Sequence, residues 1–96
     1  MSAEPAAAGA EPAQQSVRAF YFVTADADPG LLPRLVEPFS KMGMVPHRVH
    51  ASRESGDGAE VTVDLRVFGV TRQDAHLVDK MLQRVVGVRS VIALTE

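Results

Sequence analysis

Two carboxylates and a Pro-Gly pair stand together in Asp26 to Gly30, "DADPG", between an apolar run and a helical pattern. One reading is plain helix-start chemistry. Asp28 serves as N-cap and Pro29 takes the first helical position, where its missing N–H costs nothing. The other reading is a ligand site. The N–H groups of Gly30 and Leu31, backed by the helix dipole, favour a carboxylate or phosphate. Asp26 or Asp28 beside them can receive an ammonium group. Carboxylate and ammonium on adjacent atoms describe an α-amino acid.

The other reactive residue types do not converge. His47 and His50 differ in parity along one extended segment, which sends them to opposite faces, and His76 lies far along the chain. A zinc site needs ligands from one side, so no metal is expected. Cysteine is absent, which removes disulfides, thiolate ligands and thiol nucleophiles together. There is no Gly-x-Ser-x-Gly elbow and no phosphate-cradling Gly-rich lysine loop; Lys41 and Lys80 are the only lysines. No catalytic residue and no cofactor is expected.

These residues need elements to hold them. Met1 to Ser16, built from Ala, Glu, Pro, Gln and Ser, has no large apolar residue after Met1 and is expected to be a disordered tail. It lacks the basic start and apolar run of a secretory signal, and no run elsewhere is long enough to cross a bilayer. A cytoplasmic protein follows, with a folded unit from Val17 to Glu96. The chain carries 10 basic and 12 acidic residues. With Glu4 and Glu11 in the tail, the folded part is neutral, which gives no reason to expect nucleic acid or an anionic membrane.

Val17 to Ala25, rich in aromatic and β-branched residues, suits a central strand. Leu32, Leu35, Val36, Phe39 and Met42 follow at helical spacing, with Gly43 as stop. Pro33 falls in the tolerant first turn, while Pro38 removes an internal hydrogen bond and predicts a kink. Val45 to Arg53 places Val45, Val49 and Ala51 on one face, and Pro46 marks it as an edge strand. "ESGDGA" is a hairpin turn. Val61, Val63, Leu65 and Val67 alternate with polar residues in a third strand. Thr71 caps a second helix, assisted by Asp74 and buried through Val78, Met81, Leu82 and Val85. Gly87 ends it, and Val88 to Thr95 forms a last strand.

The order β-α-β-β-α-β, with right-handed crossovers, gives an α+β ferredoxin-like plait. Its four-stranded antiparallel sheet has both helices on one face, strands one and three central and strands two and four at the edges. RNA binding on this plait needs aromatic platforms on the central strands. Phe20 and Phe22 offer one side, but Glu60, Thr62, Asp64 and Arg66 put no ring on the third strand.

"DPGLLPRLVEPFSKMGMVPHRV", followed by a hairpin and a helix ending "VVGVRSV", resembles the ACT domain across Val17 to Thr95. More closely, it is similar to the short regulatory subunits of acetolactate synthase, the thiamine-diphosphate enzyme that opens branched-chain amino-acid synthesis. The resemblance implies a non-catalytic regulatory subunit that binds a larger catalytic subunit. It also implies a homodimer joined through edge strands, which places Val45, Pro46, His47, Val49 and Ala51 at the interface. Effectors in such domains sit between the Pro-Gly turn of one chain and the start of the second strand of the other. Carried over, those positions are Asp26, Asp28, Gly30 and Leu31, with Met44 and Val45. The family's two asparagines fall on Ala27 and Val45, which offer no side-chain hydrogen bond, so effector binding is expected to be weak. A free-standing amino-acid sensor signalling through its oligomeric state is the alternative. A hydrolase of the acylphosphatase kind would want an amide side chain, and the chain has no asparagine at all.

Overall fold

The computed structural model describes residues 15–53 and 56–96. The elements are β1 (Ser16–Asp26), α1 (Leu31–Lys41), β2 (Arg48–Ser52), β3 (Glu60–Thr71), α2 (Arg72–Gln83) and β4 (Val88–Thr95). They form one antiparallel sheet in the order β2-β3-β1-β4, so β1 and β3 are central and β2 and β4 are edges, as the pattern predicts. Most of the expected tail lies outside the described residues. Ser16, assigned to that tail, opens β1 opposite Thr71.

Strict alternation along the central strands makes the core. Val17, Ala19, Tyr21, Val23 and Ala25 of β1 meet Val61, Val63, Leu65 and Val67 of β3, all buried on the helix side. Helix α1 closes over them with Leu31, Leu35, Pro38 and Phe39, a spacing of four, three and one that keeps a single stripe inward. The expected stripe was shifted: Leu32, placed in the core by sequence, is exposed. Pro38 stays inside a continuous helix because its ring, which has no N–H to satisfy, belongs to the buried stripe. Gly43 ends α1 at φ +71°, with Gly43 N–H donating to Ser40 O and Met44 N–H to Phe39 O, the paired bonds of a Schellman ending. Helix α2 buries Ala75, Val78 and Leu82, and the Thr71 hydroxyl caps it by accepting from Asp74 N–H at 3.0 Å. Tyr21, in the middle of the sheet, reaches under α2 and donates its hydroxyl hydrogen to Ala75 O at 2.6 Å.

Two strands differ in extent from their expected bounds. β2 is short, and Val45 and Pro46 lie ahead of it, with Val45 82% exposed. β3 runs on to Thr71 and carries Phe68, whose ring lies 5.8 Å from Phe20. The third strand therefore does present an aromatic ring on the helix-free face, contrary to the expectation from Glu60 to Arg66. Phe68 continues the alternation of Glu60, Thr62, Asp64 and Arg66, and the expectation missed it because it ended the strand at Val67.

Candidate functional site

The "DADPG" turn connects β1 to α1 and is held from two sides. Asp26 N–H donates to Gly87 O at 2.8 Å and Ala27 N–H to Ala59 O at 2.9 Å, which ties the turn to the chain leaving α2 and the chain entering β3. Asp28 is not the N-cap. Gly30 takes that position with φ −85° and no side-chain cap, two residues later than predicted. Asp28 folds back instead: its Oδ2 accepts from Gly30 N–H at 3.1 Å, and its carbonyl accepts from Leu31 N–H at 3.0 Å. Asp and Asn side chains form this turn because their oxygen reaches the N–H two residues on.

Both amides offered to an effector carboxylate are thus engaged within the turn. The carboxylates are engaged too. Asp28 Oδ2 pairs with Arg34 Nη1 at 3.2 Å, and Asp26 Oδ1 with Arg89 Nη2 at 2.6 Å. Arg89 also reaches Glu60 Oε2 at 2.6 Å. These two carboxylates, principally Asp26, hold the Arg89 guanidinium above its ordinary pKa. Arg34 and Arg89 were absent from the expected site. Arg34 lies within six residues of Asp28; Arg89 is legible only through the β1–β4 register, which brings its strand beside Asp26.

Beside the turn is an open cavity of about 500 Å3. Ala27, Leu31, Leu32 and Val61 give it apolar walls, and Ala51 and Arg53 close it from β2 and the hairpin. Exposed Leu32 thereby finds its place. Arg53 is the cation at this rim, held across the hairpin by donating to Gly58 O from Nη2 at 2.6 Å and from Nε at 3.0 Å. The arrangement suits a small, mainly apolar molecule with one anionic group. The structure brings Ala27, Asp28 and Leu31 together here with Ala51. Met44 and Val45 of the same chain do not line the cavity.

The expected interface residues divide. Val49 and Ala51 stand opposite Leu65 and Val63, on the helix side of β2, yet Val49 is still 46% exposed because neither helix covers that edge. His47 precedes the strand and escapes its alternation. Its ring stacks on Phe68 at 4.6 Å, its Nδ1 accepts from Phe68 N–H at 3.2 Å, and its own backbone N–H donates to Arg66 O at 2.7 Å. Among the described residues no three His, Cys, Asp or Glu side chains converge to hold a metal ion, and no helix is long and apolar enough to cross a membrane.

A family model described as ACT-like domain matches residues 11–95. The chain belongs to the ACT-like domain family. ACT domains are regulatory, amino-acid-sensing modules without catalytic activity of their own. Solved structures agree on the fold. The crystal structure of the ACT domain from the GTP pyrophosphokinase of Chlorobium tepidum superposes with a TM-score of 0.68 at 16% identity, covering 82% of this chain and 99% of that one. The solution structure of the same domain gives 0.66, also at 16% identity, over 82% of this chain and 86% of that one. An uncharacterized protein of Thermotoga maritima gives 0.66 at 9% identity, covering 84% of this chain and 98% of that one. No curated protein matches the chain. None of these neighbours is described as an acetolactate synthase subunit, so the closer resemblance stands on the sequence motifs alone.

Proposed function

We propose that this ACT-like domain is a non-catalytic regulatory subunit that works as a homodimer joined along β2 and binds a larger catalytic subunit. Acetolactate synthase is the partner that the sequence motifs suggest. The observation that carries the reading is the position of the cavity. One of its walls is β2, whose second edge pairs with no strand among the described residues. An open strand edge is a template for another strand. A second copy added there covers Val49 and brings its own chain entering β2, with Met44 and Val45, towards the cavity. A folded unit this small also gains from association, since small domains bury a low fraction of their surface.

The effector arm of the reading is weak by construction. Asp28 already fills the Gly30 amide, Arg34 and Arg89 already neutralise the carboxylates, and Ala27 replaces an amide side chain with a methyl group. Each missing hydrogen bond is worth about 1 kcal/mol net. The subunit therefore acts chiefly through protein contacts.

Two measurements test this. Light scattering at micromolar concentration is expected to give at least twice the 10.3 kDa chain mass; a single-chain mass defeats the dimer. Co-expression with acetolactate synthase catalytic subunit from the same genome is expected to give a stoichiometric complex with raised turnover. A catalytic subunit that neither binds the chain nor responds to it removes that partner.

A further inference from the structure

The helix-free face of the sheet has no role in the edge-joined pair, and it is built unlike a solvated surface. Outward residues align across all four strands in rows. One row reads Arg48, Arg66, Phe20, Leu94; the next reads His50, Asp64, Phe22, Ile92. Beyond them lies a row of small hydroxyl residues, Ser52, Thr62, Thr24 and Ser90. Half of each of the first two rows is therefore apolar, where an exposed antiparallel face normally alternates to polar. Ile92 and Leu94 are 59% and 55% exposed, and Phe22 is 37% exposed. Cross-strand pairing places Phe20 beside Leu94 and Phe22 beside Ile92, which makes one contiguous patch.

The charges on this face select the occupant. Arg18 pairs with Glu96, Arg48 and Arg66 with Asp64, and Arg89 with Asp26 and Glu60. Each of these arginines meets a carboxylate of the same face, and Arg66 also lies over the Phe20 ring at 5.4 Å. A face balanced in this way lacks the positive excess that draws a nucleic acid, although Phe20, Phe22 and Phe68 supply rings. It can be buried against a neutral surface without stranding a charge. The two rows are also complementary to each other. A two-fold axis along the line between them lays each row over the other row of a second copy. Phe20 then meets the second copy's Phe22, Leu94 its Ile92, and Arg66 its Asp64, with every contact made twice.

Size decides how many chains take part. Four strands about 4.8 Å apart and averaging nine residues present a flat footprint of roughly 590 Å2. That falls short of the roughly 800 Å2 per partner of a stable interface. Two chains joined along β2 double the face to roughly 1,200 Å2 and clear it. β2 spans Arg48–Ser52, so a dyad near Val49 lies level with the line between the rows, and both symmetry axes fit one assembly. We propose that two edge-joined pairs stack through their helix-free sheet faces into a four-chain assembly, a step that rests on the edge-joined pair proposed above.

Sedimentation equilibrium of the full chain at tens of micromolar tests the assembly. The expected mass is four times 10.3 kDa. Ile92→Glu and Leu94→Glu, both at exposed positions and checked for native circular dichroism, are each expected to halve that mass. A two-chain wild type that ignores both glutamates but splits with Val49→Lys overturns the stack and leaves the pair standing. A two-chain wild type split by Ile92→Glu and indifferent to Val49→Lys removes the pair and overturns the four-chain assembly. Because the chain has no cysteine, Ile92→Cys and Leu94→Cys proteins can be mixed with a short bis-maleimide. Bridging between the two variants is expected to exceed bridging within either; equal yields refute the register. Binding of a single-stranded oligonucleotide that Phe20→Ala abolishes, with no change of mass, also overturns the stack.

Discussion

Tyr21 is the chain's only tyrosine, and its hydroxyl makes a buried hydrogen bond between the sheet and α2. Replacing it with Phe keeps the ring and its edge-on contact with Phe39, centroids 6.0 Å apart, and removes only the bond to Ala75 O. A buried neutral hydrogen bond contributes about 1 kcal/mol net. For a domain of this size, about 1 kcal/mol moves the melting temperature by roughly 5 °C. Tyr21→Phe is therefore expected to melt roughly 5 °C lower at pH 7.

Alkaline pH gives the same variant a second, opposite signature. Burial, followed by the Asp79 charge, raises the Tyr21 phenol above its ordinary value of 10.0. Above that pH the unfolded chain releases the phenol proton and the folded chain retains it. Stability from this group is thus complete below pH 10 and declines as pH rises, by up to about 1.4 kcal/mol per unit. The Tyr21→Phe variant has no phenol proton to lose, so the wild-type advantage shrinks above pH 10 and disappears about one unit higher. The two lysines titrate in both proteins and cancel in the comparison. Phenolate absorbance reports the event directly and is expected to appear only together with loss of native circular dichroism. Phenolate appearing near pH 10 in a still-folded protein, or an unchanged melting temperature for Tyr21→Phe at pH 7, refutes the reasoning.

Other perturbations reach the remaining parts of the molecule. Thr71→Ala removes the α2 cap and is expected to cost about 1 kcal/mol in a denaturant titration, since it leaves Asp74 N–H without its partner. Hydrogen bonding from Arg66, then the charges of Arg66, Arg48 and His50, hold the Asp64 carboxyl below its ordinary value against the opposing effect of burial. The stability it supplies is complete above about pH 4 and lost as pH falls through the lowered folded value, so Asp64→Asn flattens the acid limb of the stability curve. Val49→Lys denies the edge pair about half of one valine burial per copy, about 2 kcal/mol in all, and is expected to raise the dimer dissociation constant at least tenfold. Valine, leucine and isoleucine are expected to show no micromolar binding by calorimetry; a micromolar constant for any of them contradicts the filled amides.

Much of the fold was legible because it depends on local rules. Alternation in β3, the Thr71 cap and the Gly43 stop each follow from one or two residue types at fixed spacing, and the structure bears out all three. Legibility failed where two rules compete. At the start of α1, Asp28 satisfies both an N-cap and an Asx turn, and the turn prevails because Arg34 and Gly30 N–H take the carboxylate together. That moves the helix start and rotates the buried stripe from Leu32 to Leu31. At the end of β3, the strand continues past Val67, where the sequence pattern ended it, and its unbroken alternation puts Phe68 on the helix-free face.

The candidate site was harder to read for a different reason. Its residue types were found, but their availability depends on partners distant in sequence. Arg89 reaches Asp26 only because β4 lies antiparallel to β1, with the register shifting at Ala25. A turn whose two carboxylates are paired and whose Asp26, Ala27, Gly30 and Leu31 amides are engaged is a fixed, electrically quiet connection between sheet and helix. The same engagement displaces recognition towards Arg53 and the apolar wall of Leu32 and Val61, which the motif did not mark. The cavity presents the Arg53 guanidinium and apolar walls, with Asp28 at its lining already paired to Arg34. That arrangement differs from the paired amide and carboxylate site that the "DADPG" motif suggests when read alone.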